Sequence, residues 1–146
     1  MTSADEMLTA IFATLDADAT LQGASYLNGT DKVEKGPRRK EGVVNPSVTI
    51  KLGGTDIATE GKIQDAIVYV SSFCNNYGNG AANVKTLSLI SNKVDDLLDD
   101  KSLTISGSRA FNCYLTAPHN GPYWDSQHPD EHYMTSTFRI QVIDLS

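Results

Sequence analysis

The fingerprints of serine hydrolases and of nucleotide-binding enzymes are missing from the 146 residues. There is no G-x-S-x-G nucleophile elbow, no G-K-[ST] phosphate loop and no G-x-G-x-x-G dinucleotide loop. Nothing pairs a nucleophile with a base, so the sequence argues against an enzyme. Cysteine is scarce. Cys74 and Cys113 are the only two, neither lies in a C-x-x-C pair, and both fall in apolar, strand-like stretches. They read as buried reduced thiols of a cytosolic protein, not as a disulfide or a metal pair. Long apolar runs are missing too, since none approaches the ~18 residues of a membrane span. The opening MTSADEMLTA has acids and no basic region, so no secretory signal is expected. Positive charge is in deficit, with 12 Lys and Arg against 18 Asp and Glu and a net charge of −6. That disfavours a grip on nucleic acid over the whole surface. Internal repeats and low-complexity tracts are also absent.

What remains is an ordinary globular composition, 40% hydrophobic and 21% charged, at a length suited to one domain over residues 1–146. The clearest period lies in residues 83–105. Val84, Leu87, Ile90, Val94, Leu97 and Leu98 recur at three- and four-residue steps, the spacing of one helix face. Lys85, Asn92, Lys93, Asp95, Asp96 and Asp99 fill the other side. After a polar break, Leu103 and Ile105 alternate as strand residues do. A helix with one apolar face needs a sheet or another helix to cover it.

The other segments supply that cover. Ser3 to Glu6 reads as an S-x-x-E capping box. Met7, Leu8, Ile11, Phe12 and Leu15 then share a face, which predicts a first helix over residues 4–16. Residues 28–45 read as a long loop, with turn signals at Asn28-Gly29 and Gly36-Pro37. This loop holds the chain's only basic cluster, Lys35, Arg38, Arg39 and Lys40. The cluster is a solvated loop or a contact for an acidic surface or phosphates. Val48, Ile50 and Leu52 alternate in a strand that Gly53-Gly54 should end. Residues 63–74 form a longer strand, and its AIVYV run suits a position covered on much of both faces. Asn83 can cap the second helix. Phe111, Cys113 and Leu115 mark another strand. Residues 117–130 read as a long polar loop. Met134, Ser136, Phe138, Ile140 and Val142 mark a closing strand. Strands in neighbouring pairs predict an α+β fold: a mostly antiparallel sheet with two amphipathic helices packed on it.

Two stretches hold residue types that do chemistry. Residues 119–132, HNGPYWDSQHPDEH, gather all three histidines and the single Trp. His128, Glu131 and His132 spell H-x-x-E-H, the inverted zinc-protease spacing, and with His119 they are the candidates for a metal-dependent hydrolase. That chemistry needs the two histidines one helical turn apart, whereas this segment runs into a strand pattern. The loop reads instead as exposed, with Tyr123 and Trp124 as possible anchors for a partner. The acids Asp95, Asp96, Asp99 and Asp100 near a helix C-terminus read as a solvated face, or as a surface that repels or guides DNA.

Taken together, the elements resemble the tail-terminator (tail completion, head–tail joining) proteins of long-tailed bacteriophages. The likeness rests on MLTAIFATLDADATL, on the strands PSVTIKL and IQDAIVYVSSFC, on NVKTLSLISNKVDDLLDD running into KSLTI, and on the closing YMTSTFRIQVIDL. It covers nearly the whole chain. The polar insert at residues 117–130 departs from a minimal member. The resemblance implies a non-enzymatic virion protein at the tail's neck, needing no cofactor or metal, assembled in the host cytoplasm. It would form a ring, usually a hexamer, that ends tube polymerisation. Its partners would be the tail tube protein, the head connector or stopper protein, and further copies of itself. Genomic DNA would slide through an acidic bore without specific binding, and no membrane is involved. Lys35, Arg38, Arg39 and Lys40 would then make a subunit or neck contact or a lumenal loop. Another neck protein, such as a β-rich stopper, is the nearest alternative.

Overall fold

The computed structural model describes residues 4–36, 44–57, 63–106 and 109–144. Its elements are α1 (Ala4–Asp16), β1 (Val33–Lys35), β2 (Ser47–Ile57), β3 (Ile63–Asn75), α2 (Val84–Leu98), β4 (Lys101–Ser106), β5 (Arg109–Asp125) and β6 (His128–Asp144). The six strands form one sheet in the order β1-β2-β3-β6-β5-β4. Four of the five pairings are antiparallel. The fifth, β1 on β2, is parallel. The fold is therefore a single α+β domain on a mixed sheet. The parallel strand has only three residues inside a glycine-rich, charged connection, too few to show an alternating pattern.

Sequence periodicity translates directly into the core. Met7, Ile11 and Leu15 of α1 and Leu87, Ile90, Val94 and Leu98 of α2 are buried at helical spacing. Beneath them lie alternate strand residues: Val48 and Ile50, Ala66, Val68 and Val70, Phe111 and Cys113, Phe138 and Ile140. Fully burying an aliphatic or aromatic side chain of this size stabilises by about 1.5–3 kcal/mol. Asn83 caps α2 by accepting the Thr86 N–H at 3.2 Å, as its place before the apolar period suggests. Ser3 lies outside the described residues, so the capping box of α1 does too.

α1 touches β1 and β2 at one edge of the sheet and β4 at the opposite edge. One helix of 13 residues meets both edges of a six-stranded sheet most readily when those edges turn toward it. The sheet therefore curls around the helices, in the sense its natural twist favours. Both helices fill the concave side. The convex side presents Lys51, Ile67, Arg139 and Gln141 to solvent.

Three expectations change. First, Gly53-Gly54 does not end β2. The strand continues to Ile57 through a register shift between Leu52 and Gly54. Gly53 serves close approach instead: a Cβ there would run into the Tyr69 ring. Second, the AIVYV run is covered on one face only, because Ile67 is 44% exposed. Third, residues 117–130 are not a loop. They form the outer half of a hairpin in which β5 and β6 are 17 residues each. The Pro, Gly and Asn residues that signal turns are accommodated by register shifts between Leu115 and Ala117, Ala117 and Asn120, Asn120 and Tyr123, and Trp124 and Asp125. Bulges of this kind admit residues that a regular ladder excludes.

Candidate interaction site

The hairpin extends past its neighbours. β4 reaches only to Cys113 on β5, and the β3 ladder ends at Asn75 opposite Glu131. Beyond those points β5 and β6 pair with each other alone, and residues 120–130 are all exposed. A two-stranded ribbon is marginally stable by itself in water, so contacts at its root decide whether this arm keeps a fixed direction.

Two sets of contacts hold the root. On the α2 side, His119 Nδ1 donates to Asp95 Oδ2 at 2.9 Å, and the Leu115 N–H donates to Asp99 Oδ1 at 2.9 Å. Asp95 is thereby buried to 8% exposure, although its helical position reads as solvated. The arm crossing that face of α2 covers it. Asp96 and Asp100 do stay exposed. On the β3 side, Asn45 Nδ2 donates to Asn75 Oδ1 at 2.8 Å and to the buried Glu131 Oε2 at 2.6 Å. The Asn76 N–H donates to Asp130 O at 2.8 Å. Asn76 Nδ2 reaches Pro129 O at 3.2 Å, and His132 Nδ1 donates to Asn76 Oδ1. Gly121 has φ +120°, and a Cβ there would stand 2.9 Å from Tyr133 O. Only glycine fits that crossing of the two strands.

Aromatic rings run along the convex side of the arm. Phe73 and Tyr133 have centroids 5.3 Å apart, and Tyr133 and Tyr123 have centroids 5.6 Å apart, both pairs tilted. Trp124 pairs with His132 and so lies on the other side of the ribbon; it is 55% exposed, with its Nε1–H donated to Pro129 O at 3.1 Å. With its polar edge satisfied inside the arm, the indole offers a fixed apolar plane. Tyr123, on the convex side with Tyr133, is 44% exposed. The arm thus exposes two large aromatic side chains, a residue type enriched at protein interfaces.

The H-x-x-E-H stretch lies on this arm and its root in extended conformation, not on a helical turn. Glu131 is held by Asn45 and His132 by Asn76, while His119 is held by Asp95. The helical geometry of the zinc reading is therefore not met, and among the described residues no cluster of three or more His, Cys, Asp or Glu could hold a metal. Of the basic cluster, Lys35 Nζ donates to Thr9 Oγ1 at 2.9 Å and sits 3.5 Å from Asp5 Oδ1. It ties β1 to α1. Arg38, Arg39 and Lys40 lie outside the described residues. Cys74 and Cys113 are buried free thiols. Burial, reinforced by the nearby Asp99 carboxylate, pushes Cys113 up to about 12, and burial also raises Cys74 against the lowering effect of Asn83. Neither is a nucleophile at neutral pH. No described helix is long and apolar enough to cross a membrane.

No protein-family model matches the chain, and no curated protein does. Solved structures do match. One is a chain from the virion of a native gene transfer agent (GTA) particle, 19% identical, with a TM-score of 0.65 over 95% of this chain and 96% of that one. A second solved chain is 13% identical, with a TM-score of 0.61 over 98% and 97%. At such identities the likeness establishes a shared fold across the full length of both chains. It does not by itself carry over a role.

Proposed function

We propose that the chain is a structural virion protein of a phage-like particle, forming a ring at the head-proximal end of the tail, where it ends tube growth and joins the tail to the head connector. The observation that carries this reading is the fold shared end to end with a chain of a gene transfer agent virion. The residues that carry the tail-terminator likeness in the sequence occupy the core elements of that fold. An exposed aromatic arm on a compact domain supports assembly with other proteins. The absence of a nucleophile–base pair from the sequence supports a non-enzymatic role.

In this reading Tyr123 and Trp124 make protein contacts, and DNA slides through a ring of acidic subunits without being held. Arg38, Arg39 and Lys40 serve a subunit or neck contact. Deleting residues 36–40 should lower infectious or DNA-transferring yield while the chain still folds, as checked by a thermal melt. Normal yield would dismiss the basic cluster as a contact.

The role itself is tested by removing the gene and imaging the particles. Terminator activity predicts filled heads separated from tails of irregular, overgrown length. Tails of normal length that fail to meet heads would identify a stopper instead. Joined, normal particles would sink both.

A further inference from the structure

The described core falls into two clusters. The larger one holds Val70 of β3, Phe138 of β6 and Ile90 and Val94 of α2. The smaller one holds Cys74, Met134 and Leu87, from the same three elements. A serine stands at the junction on each element. Ser72 lies between Val70 and Cys74, Ser136 between Met134 and Phe138, and Ser91 one turn after Leu87. Alternation puts Ser72 and Ser136 on the concave face with those core residues. The register sets Ser72 opposite Met134 and Ser136 opposite Val70. α2 packs on that face, and all three serines are buried. A polar layer therefore crosses the interior where apolar packing would otherwise be continuous.

The helix side of this layer carries unmet hydrogen-bonding capacity. Ser91 is 2% exposed, and its Oγ has no described partner. Asp95, one turn further along α2 and 8% exposed, bonds His119 through Oδ2, while its Oδ1 has no described partner. Residues four apart lie on one helix face, with Cβ atoms about 5–6 Å apart. The two oxygens are thus neighbours that do not bond each other. Both are shut off from bulk solvent, where native interiors almost always satisfy polar groups.

One small molecule answers both atoms. A carboxylate oxygen only accepts, whereas a hydroxyl donates or accepts. The guest must therefore donate to Asp95 and can bond Ser91 in either sense. A water does this, within the two to four hydrogen bonds that buried waters make. A metal ion is a poorer match. Asp95 offers a single free oxygen, Asp99 turns to the Leu115 N–H, and among the described residues no three His, Cys, Asp or Glu gather for a metal. We propose that α2 and the sheet enclose one ordered water, which donates to Asp95 Oδ1 and bonds Ser91 Oγ. Through Asp95 and His119, this water ties the root of the arm to the serine layer. It belongs to the fold and does not depend on the ring reading.

A high-resolution crystal structure of the full chain tests this, together with oxygen-17 relaxation dispersion, which counts long-lived internal waters in solution. Wild type should show a peak about 2.6–3.0 Å from both oxygens. In Ser91→Val, which removes the hydroxyl and fills its space, the peak should vanish and the dispersion should lose one long-lived water. Ser91→Ala serves if the valine variant fails to fold, as judged by circular dichroism melts. It removes one of the water's bonds and should shorten the water's stay roughly tenfold. A wild-type structure with no peak there, or with Ser91 Oγ bonded directly to Asp95 Oδ1 or to a helix carbonyl, overturns the water site. Equal dispersion in wild type and both variants does the same. A peak with oxygen contacts of roughly 2.3–2.6 Å that grows with calcium concentration marks a cation and overturns it too.

Discussion

Asp95 looks like one of several surface acids and is in fact a fastening point. Its carboxylate bonds His119 through one oxygen, while Oδ1 is buried without a described partner. Removing His119 leaves the buried Asp95 carboxylate with no described partner, which costs about 1–3 kcal/mol. A double-mutant cycle with Asp95→Ala and His119→Ala should therefore give a coupling of about 1 kcal/mol in urea melts, and a coupling near zero would mean that arm and helix do not communicate. The thiols make a second prediction at this scale. Cys113 is raised from 9.0 to about 12, so above pH 9 the unfolded chain releases a proton that the folded chain keeps. Its contribution is complete below pH 9 and is lost as pH rises from 9 through 12. Stability should fall over that window, and the Cys113→Ala variant should fall less steeply. Equal slopes would contradict the burial argument. That both cysteines are buried follows from their apolar neighbours in sequence. The burial of Asp95 does not, because the covering residue is 24 positions away.

At the scale of elements, both helices and the strand pairs follow from period alone, because each buries one stripe against a single large core. The β5–β6 arm does not follow. Its residues belong to turn chemistry, and only long-range pairing, with bulges absorbing Pro118, Gly121 and Pro122, makes strands of them. β1 is hidden for the related reason that three residues carry no period. The exposure of Tyr123 and Trp124 was legible from their polar surroundings in sequence, but the opposite directions of the two rings are set by the arm's register. Gly121→Ala should show that dependence. A Cβ 2.9 Å from Tyr133 O, at φ +120°, must displace one strand. The expected outcome is a shift in Trp124 emission and faster amide exchange confined to residues 117–133, with a small change in the melt. Unchanged emission and exchange would mean the arm tolerates the crossing without glycine.

For the whole molecule, the curled sheet divides labour between its faces. The concave face is spent on folding, with both helices buried against it. The convex face and the arm stay exposed, which is compatible with the proposed assembly role. The exposure of Ile67 escaped the sequence because AIVYV reads as buried throughout, and only the sheet's packing shows which of its residues face out. The central claim is a position in a particle, so it is tested most directly there. Purified particles carrying this chain, labelled with antibody-gold against it and viewed in negative stain, should show label at the junction between head and tail, and at the head-proximal end of tails released from heads. Label along the shaft, at the distal tip or over the capsid would contradict the account.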